Sequence, residues 1–196
     1  MAEKQKKKWK GKDWYNILAP DIFKNKKIGE SPASSSKSVL NRTVEISVRE
    51  LMGGERKYER SVGKLIFKVN RVEDKNAYTI FHGYSVFRDF LYMVVRKRLQ
   101  KVESIHNYKT KDGWELQITM LIILNRNVCK EVQRKVRLLV QSELDKFISS
   151  VKLDDFILSV INSQIQTKLR KLVNKIYPAR VCEVAKIEVL SSPKAK

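Results

Sequence analysis

Few side chains in this sequence are of a type that could do covalent or acid–base chemistry, and their spacing does not bring them together. The two histidines, His82 and His106, and the two cysteines, Cys129 and Cys182, stand far apart. No pair among them has the short ligand spacing of a zinc site. The carboxylate pairs Glu73-Asp74 and Asp154-Asp155 are sequence neighbours. Adjacent side chains point apart on a strand or helix, so neither pair is placed for acid–base work by spacing alone. The first reads as a turn and the second as a helix start. There is no Gly-x-Ser-x-Gly elbow, no Walker-type loop and no dinucleotide fingerprint. Gly53-Gly54 reads as a turn rather than a phosphate cradle. The sequence therefore predicts no enzyme, no metal, no cofactor and no small-molecule substrate.

What the sequence holds in excess is positive charge. Its 196 residues carry 41 Lys+Arg against 21 Asp+Glu, a formal net charge of +20. Such a surplus repels itself and weakens a compact state unless a polyanion is bound. Neutralising phosphates releases condensed counterions, so affinity for nucleic acid comes before any base is read. A membrane is the competing polyanion and is not expected. No apolar run approaches the roughly 20 residues of a spanning helix, and the N-terminus is charged where a signal peptide needs an apolar segment. Two widely separated cysteines do not make a disulfide scaffold and read as reduced thiols in a cytosolic protein.

The cations are clustered. Residues 1–38 read as a basic extension and linker, with Lys6, Lys7, Lys8, Lys10 and Lys12 at the start and Lys24, Lys26 and Lys27 further on. Trp9 and Trp14 interleave with these lysines. Lysine supplies phosphate contacts, and aromatic rings stack on unpaired bases or bury against a partner. Arg96, Lys97 and Arg98 end a predicted helix, where cations also suit the negative end of the dipole. Lys130, Arg134 and Arg137, at steps of four and three, are expected on one helix face opposite its apolar stripe. Lys171 lies on the following helix. These are the candidate RNA-binding residues. No aromatic strand motif of RNA-recognition modules and no Gly-x-x-Gly clamp occurs, so shape and phosphate are expected to be read rather than base sequence.

The elements that must position these residues follow from hydrophobic period. Residues 39–190 read as a single α+β domain, and 191–196 as a basic tail. Val44, Ile46 and Val48 alternate with polar residues, and Leu65, Phe67 and Val69 alternate with Ile66, Lys68 and Asn70. A third strand runs near Ala77–His82. Ser85 is a candidate cap for a short helix burying Phe87, Phe90, Leu91, Val94 and Val95. Gln100–Tyr108 and Trp114–Leu124 are strand-like runs joined through Asp112-Gly113, a hairpin signal. The continuous apolar end of the second run predicts a central strand covered on both faces. Residues 126–177 predict two long helices, the second capped by Asp154 and stopped by Pro178. Ala179–Leu190 predicts a last strand. The fold class is thus α+β: a mixed or antiparallel, barrel-like sheet with flanking helices, two long C-terminal helices and an extended basic N-terminal arm.

Four segments, KKKWKGKDWYNILAPDIF, FHGYSVFRDFLYMVVRK, YKTKDGWELQITMLIIL and IYPARVCEVAKIEVLSSPK, in this order and spacing, resemble the archaeal and eukaryotic small-subunit ribosomal proteins of the "three-A" family. The resemblance covers nearly the whole chain. Without the long C-terminal extension of eukaryotic members, the chain resembles an archaeal-type member. The resemblance implies a structural constituent of the small ribosomal subunit, on the platform near the mRNA exit, cytoplasmic and ribosome-bound. It implies small-subunit rRNA, neighbouring small-subunit proteins and mRNA near the exit as partners, and a barrel-like core. The segment Lys6–Trp14 would be the extension that threads into rRNA. From charge alone, a free-standing RNA-binding chaperone or regulator is the alternative.

Overall fold

The computed structural model describes residues 11–53 and 62–193. Along them run β1 (Asp13–Leu18), β2 (Lys27–Ala33), β3 (Thr43–Ser47), α1 (Val48–Leu51), β4 (Gly63–Glu73), β5 (Asn76–Val86), α2 (Arg88–Val94), β6 (Gln100–Lys109), β7 (Glu115–Leu124), α3 (Lys130–Ser150), α4 (Leu153–Ile161), α5 (Gln164–Val173) and β8 (Ala179–Ser191).

The strands join one mixed sheet in the order β2-β1-β5-β8-β7-β6, with β3 and β4 branching from β5. β4 pairs along the whole of β5, so β1 and β8 must share the opposite edge: β1 takes Asn76–Tyr78 and β8 takes Gly83–Ser85. β1 runs parallel to β5, and the other pairs are antiparallel. The mixed sheet is as expected; it is bulged and does not close into a barrel. Its outer strands are blunted by arginine: Arg42 donates to the Pro32 carbonyl of β2 at 3.1 Å, and Arg137 to the Glu103 carbonyl of β6 at 3.0 Å. Such groups oppose further strand pairing at an edge.

β7 is the centre, as its apolar run predicts. Met120, Ile122 and Leu124 pack into the main core under the helices. Leu121 and Ile123 point the other way and are covered by Val94, Phe90 and Leu91 from α2. Burying each such side chain stabilises by about 1.5–3 kcal/mol. The β6–β7 turn needs a left-handed residue, and Gly113 supplies it with φ +82°. Gly83 serves a close approach, because a Cβ there would stand 2.8 Å from the Ile187 carbonyl oxygen of β8.

The N-terminal segment departs from expectation. Residues 13–33, read as part of an extension outside the domain, form β1 and β2 of the same sheet. Tyr15 and Ile17 alternate inward and bury with Ala33, Val39, Val69 and Ala77 in a small second core. Phe23 packs edge-on against Phe67, ring centres 5.8 Å apart. A half-buried strand alternation lies inside the lysine-rich stretch, and apolar burial outweighs the charge around it.

The helices also differ in part. The 21-residue α3 is one long helix and buries Val136, Val140, Leu144 and Ile148. The second predicted long helix is instead broken into α4 and α5 at Ser163, whose φ is 56°. The Ser163 N–H bonds the Val160 carbonyl at 3.0 Å. The Gln166 side chain donates to that carbonyl at 2.9 Å. The acceptor that a continuing turn would have used is thereby occupied. Asp154 is not the cap of α4. Asp112, at the tip of the β6–β7 hairpin, accepts from the Leu153 N–H at 3.2 Å, which fastens the hairpin to the helix layer. β5 likewise continues past Gly83 to Val86, and Phe87 rather than Ser85 precedes α2.

Candidate nucleic-acid interface

The predicted cations fall into separate zones. Lys6, Lys7, Lys8, Trp9 and Lys10 lie outside the described residues. Lys12 is exposed at the entry to β1. Trp14 points away from the small core and is 56% exposed. Lys24, in a left-handed turn with φ 58°, is exposed. Its neighbours are engaged within the fold. Lys26 donates to the Leu51 and Glu50 carbonyls at 2.7 and 3.3 Å, closing the end of α1, where a cation suits the dipole. Lys27 pairs with Glu30.

The second zone is the end of α2. Only Val94 of this helix is buried. Of the face read as apolar, Val94, Phe90 and Leu91 meet the sheet while Phe87 and Val95 are exposed, and on the opposite face Tyr92 is 76% and Met93 60% exposed. A helix this short rests on the sheet through one residue and its partly buried neighbours Phe90 and Leu91. Arg96, Lys97 and Arg98 follow directly and are all exposed. Arg96 folds back to the Met93 carbonyl at 3.1 Å, and Arg98 turns the chain with φ 68°. Tyr92 and three exposed cations thus lie close together in the chain at this tip, a combination suited to stacking on an unpaired base and pairing with its phosphates.

The third zone is the helix layer. Lys130 and Arg134 are exposed on the first turns of α3. Arg137 does not lie opposite the apolar stripe as expected. It borders Val136 and reaches the edge of β6, because the stripe advances in steps of four and winds round the helix. Lys171 is exposed in the last turn of α5, beside Arg170, which donates to the Ala179 carbonyl at 3.3 Å.

One polar cluster has no counterpart in the sequence reading. Gln166 of α5, 4% exposed, donates to Glu183 of β8 at 2.9 Å. Burial holds the Glu183 carboxyl above the ordinary carboxylate range, against the opposing hydrogen bonds from Gln166 and the Val184 N–H. Burial also pushes up the nearby Tyr84 phenol, with the Glu183 charge adding to it. The signal available was Gln166 beside Ile165 on an otherwise apolar stripe. The described residues include no group of three or more His, Cys, Asp or Glu placed to hold a metal ion. No described helix is long and apolar enough to cross a membrane.

Comparison with known proteins finds relatives along nearly the whole of this α+β chain. The model of the Ribosomal S3Ae family matches residues 1–193. The small ribosomal subunit protein eS1 of Archaeoglobus fulgidus is 32% identical over 192 residues, which is 98% of this chain and 90% of that protein. The protein of the same name from Methanopyrus kandleri is 31% identical over 190 residues, 95% of this chain and 89% of that protein. That of Ignicoccus hospitalis is 30% identical, covering 96% and 88%. With the family model and these relatives spanning nearly its full length, the chain belongs to the Ribosomal S3Ae family.

Proposed function

We propose that this protein is a structural constituent of the small ribosomal subunit that binds small-subunit rRNA on the platform near the mRNA exit. The observation that carries the reading is membership of a ribosomal family along residues 1–193 in a chain of net charge +20. The mechanism is passive. The lysine-rich start and the α2 tip neutralise phosphates, exposed rings such as Tyr92 and Trp14 fix the contact locally, and the sheet and helices offer surfaces to neighbouring small-subunit proteins. The protein is ribosome-bound in the cytoplasm, with mRNA passing nearby. It acts in translation without turning over a substrate.

Sedimentation separates this reading from a free RNA chaperone. Small subunits washed in high salt should retain the protein at one copy each. A chaperone held by counterion release alone loses affinity steeply with salt and would be stripped. Loss of the protein in that wash would overturn the proposal.

A further inference from the structure

The sheet splits where β5 and β8 part. β8 pairs with β5 only from Lys186 to Glu188. β5 then ends at Val86 and turns into α2, so Ala179–Ala185 lose their partner on that side. Two adjoining cavities of about 150 and 260 Å³ fill the split, and both are lined by Phe90, Ser163 and Glu183. Together they are comparable with the small end of ligand pockets, roughly 300–1,000 Å³.

The inner cavity is lined by aliphatic side chains, by the rings of Tyr84 and Phe90, and by the polar residues Ser163 and Glu183. Its polar floor is the Glu183 carboxylate, which offers about four lone-pair sites. Gln166 and the Val184 N–H engage it, and roughly two sites remain. Gln166 lines the outer cavity. Its amide nitrogen is spent on Val160 and Glu183, and its Oε1 has no donor among the described residues. The outer cavity is bordered by Arg170 and Arg180, both exposed. From the inner cavity outward the lining passes from Glu183 and Phe90, which border both cavities, to Arg170 and Arg180, which border only the outer one.

That order selects a ligand. An incoming lysine or arginine would satisfy the acceptors but be repelled at the rim. A nucleotide meets both layers, with a donor edge inside and a phosphate outside. Among the bases, guanine alone presents two adjacent donors, N1–H and the N2 amino group, to one carboxylate. Adenine and cytosine place a ring acceptor beside their amino group, which the carboxylate repels. We propose that the split between β5 and β8 is a pocket for an unpaired guanine of RNA, with Glu183 accepting from its Watson–Crick edge, Phe90 against its face and Arg170 and Arg180 on its phosphate. This rests on reading the protein as an RNA binder.

The test titrates the full chain with a uridine-loop RNA hairpin carrying one guanosine, inosine or adenosine in the loop. Inosine keeps N1–H and lacks the N2 amino group. Guanosine should bind about tenfold more tightly than inosine, with adenosine weaker still. In Glu183→Gln, whose amide puts a donor where guanine also donates, the three hairpins should converge. Arg180→Gln should weaken all three while keeping their order. Equal binding of guanosine and inosine by the unmodified protein overturns the pocket, as does a preference that survives Glu183→Gln. If all three bind equally and with strong salt dependence, the RNA-binding reading stands and the pocket is rejected. If none binds, that reading falls as well.

Discussion

The hairpin layer and the N-terminal ribbon are built from the same material to different depths. β6 and β7 pair without a shift from Gln100–Leu124 to Lys109–Glu115, and β8 covers the other edge of β7. The end of β7 is buried on both faces. The ribbon of β1 and β2 pairs with β5 only over Asn16–Leu18; Tyr15 and Ile17 bury in the small cluster, and only the connection, through Ala19 and Phe23, with Ile28 beside it, reaches the main core. The first region carries the stability of the domain, and the second holds a cationic segment at its edge at lower cost to unfold. Local opening free energies follow such differences in burial.

The largest effect should come from cutting the ribbon. Removing residues 1–27 deletes β1 and Phe23 and uncovers Val39, Val69 and Ala77, so the product should melt well below the full chain while the β6–β8 layer keeps a cooperative transition. Removing residues 1–10, which leaves β1 and Phe23 in place, should lower the melting point far less than the longer deletion while weakening RNA binding. Calorimetry on the two deletions checks this, and equal melting of both would erase the distinction between ribbon and extension.

Next in size is a matched pair of truncations. Ile122→Ala in β7 should cost about 3–5 kcal/mol, the upper part of the range for buried isoleucine, and Ile17→Ala in the ribbon about 2. Denaturant melts give the totals. Hydrogen exchange should show the Ile17→Ala loss confined to β1 and β2. Uniform loss of protection across the sheet would mean that the two regions unfold as one.

Smaller still is the clamp between hairpin and helices. Asp112→Ala removes the acceptor for the Leu153 N–H and should cost about 1 kcal/mol, as loss of a helix cap does. An unchanged midpoint would show that solvent replaces this bond freely.

The smallest effect is a pH slope. Burial holds the Glu183 carboxyl above its ordinary 4.5 in the folded protein, so between those two values the folded state binds the extra proton. Stability then falls as pH rises through that window, the reverse of a salt-bridged carboxylate. Glu183→Gln should flatten that fall, and parallel stability profiles for the two proteins would show that this carboxyl does not titrate differently on folding.

The same contrast explains what could be read from the residues. The apolar block at Met120–Leu124 forecast burial on both faces, because a strand with one wet face alternates. The alternation of Tyr15 and Ile17 was present too, but the lysines around it carried more weight than two buried side chains. The break at Ser163 left no trace in the apolar spacing, since Ile161 and Ile165 keep a helical step. It depends on Gln166 meeting Val160 and Glu183 in space. The Arg96–Arg98 cluster was legible from composition. The exposure of Phe87 and Val95 was not, because a helical period assigns faces without saying how much of a two-turn helix the sheet covers. The sequence does not single out Glu183, and only the divergence of β5 and β8 encloses it.

The central claim is that this surface lies against small-subunit rRNA, and the cysteines offer a direct measurement. Cys129 is exposed immediately before α3, and Cys182 is buried, its thiol pushed by burial up to about 12. A hydroxyl-radical source attached to Cys129 alone, with the protein in ribosomes, should cleave a compact set of small-subunit rRNA positions. Absence of cleavage, or equal cleavage of large-subunit rRNA, would contradict the account.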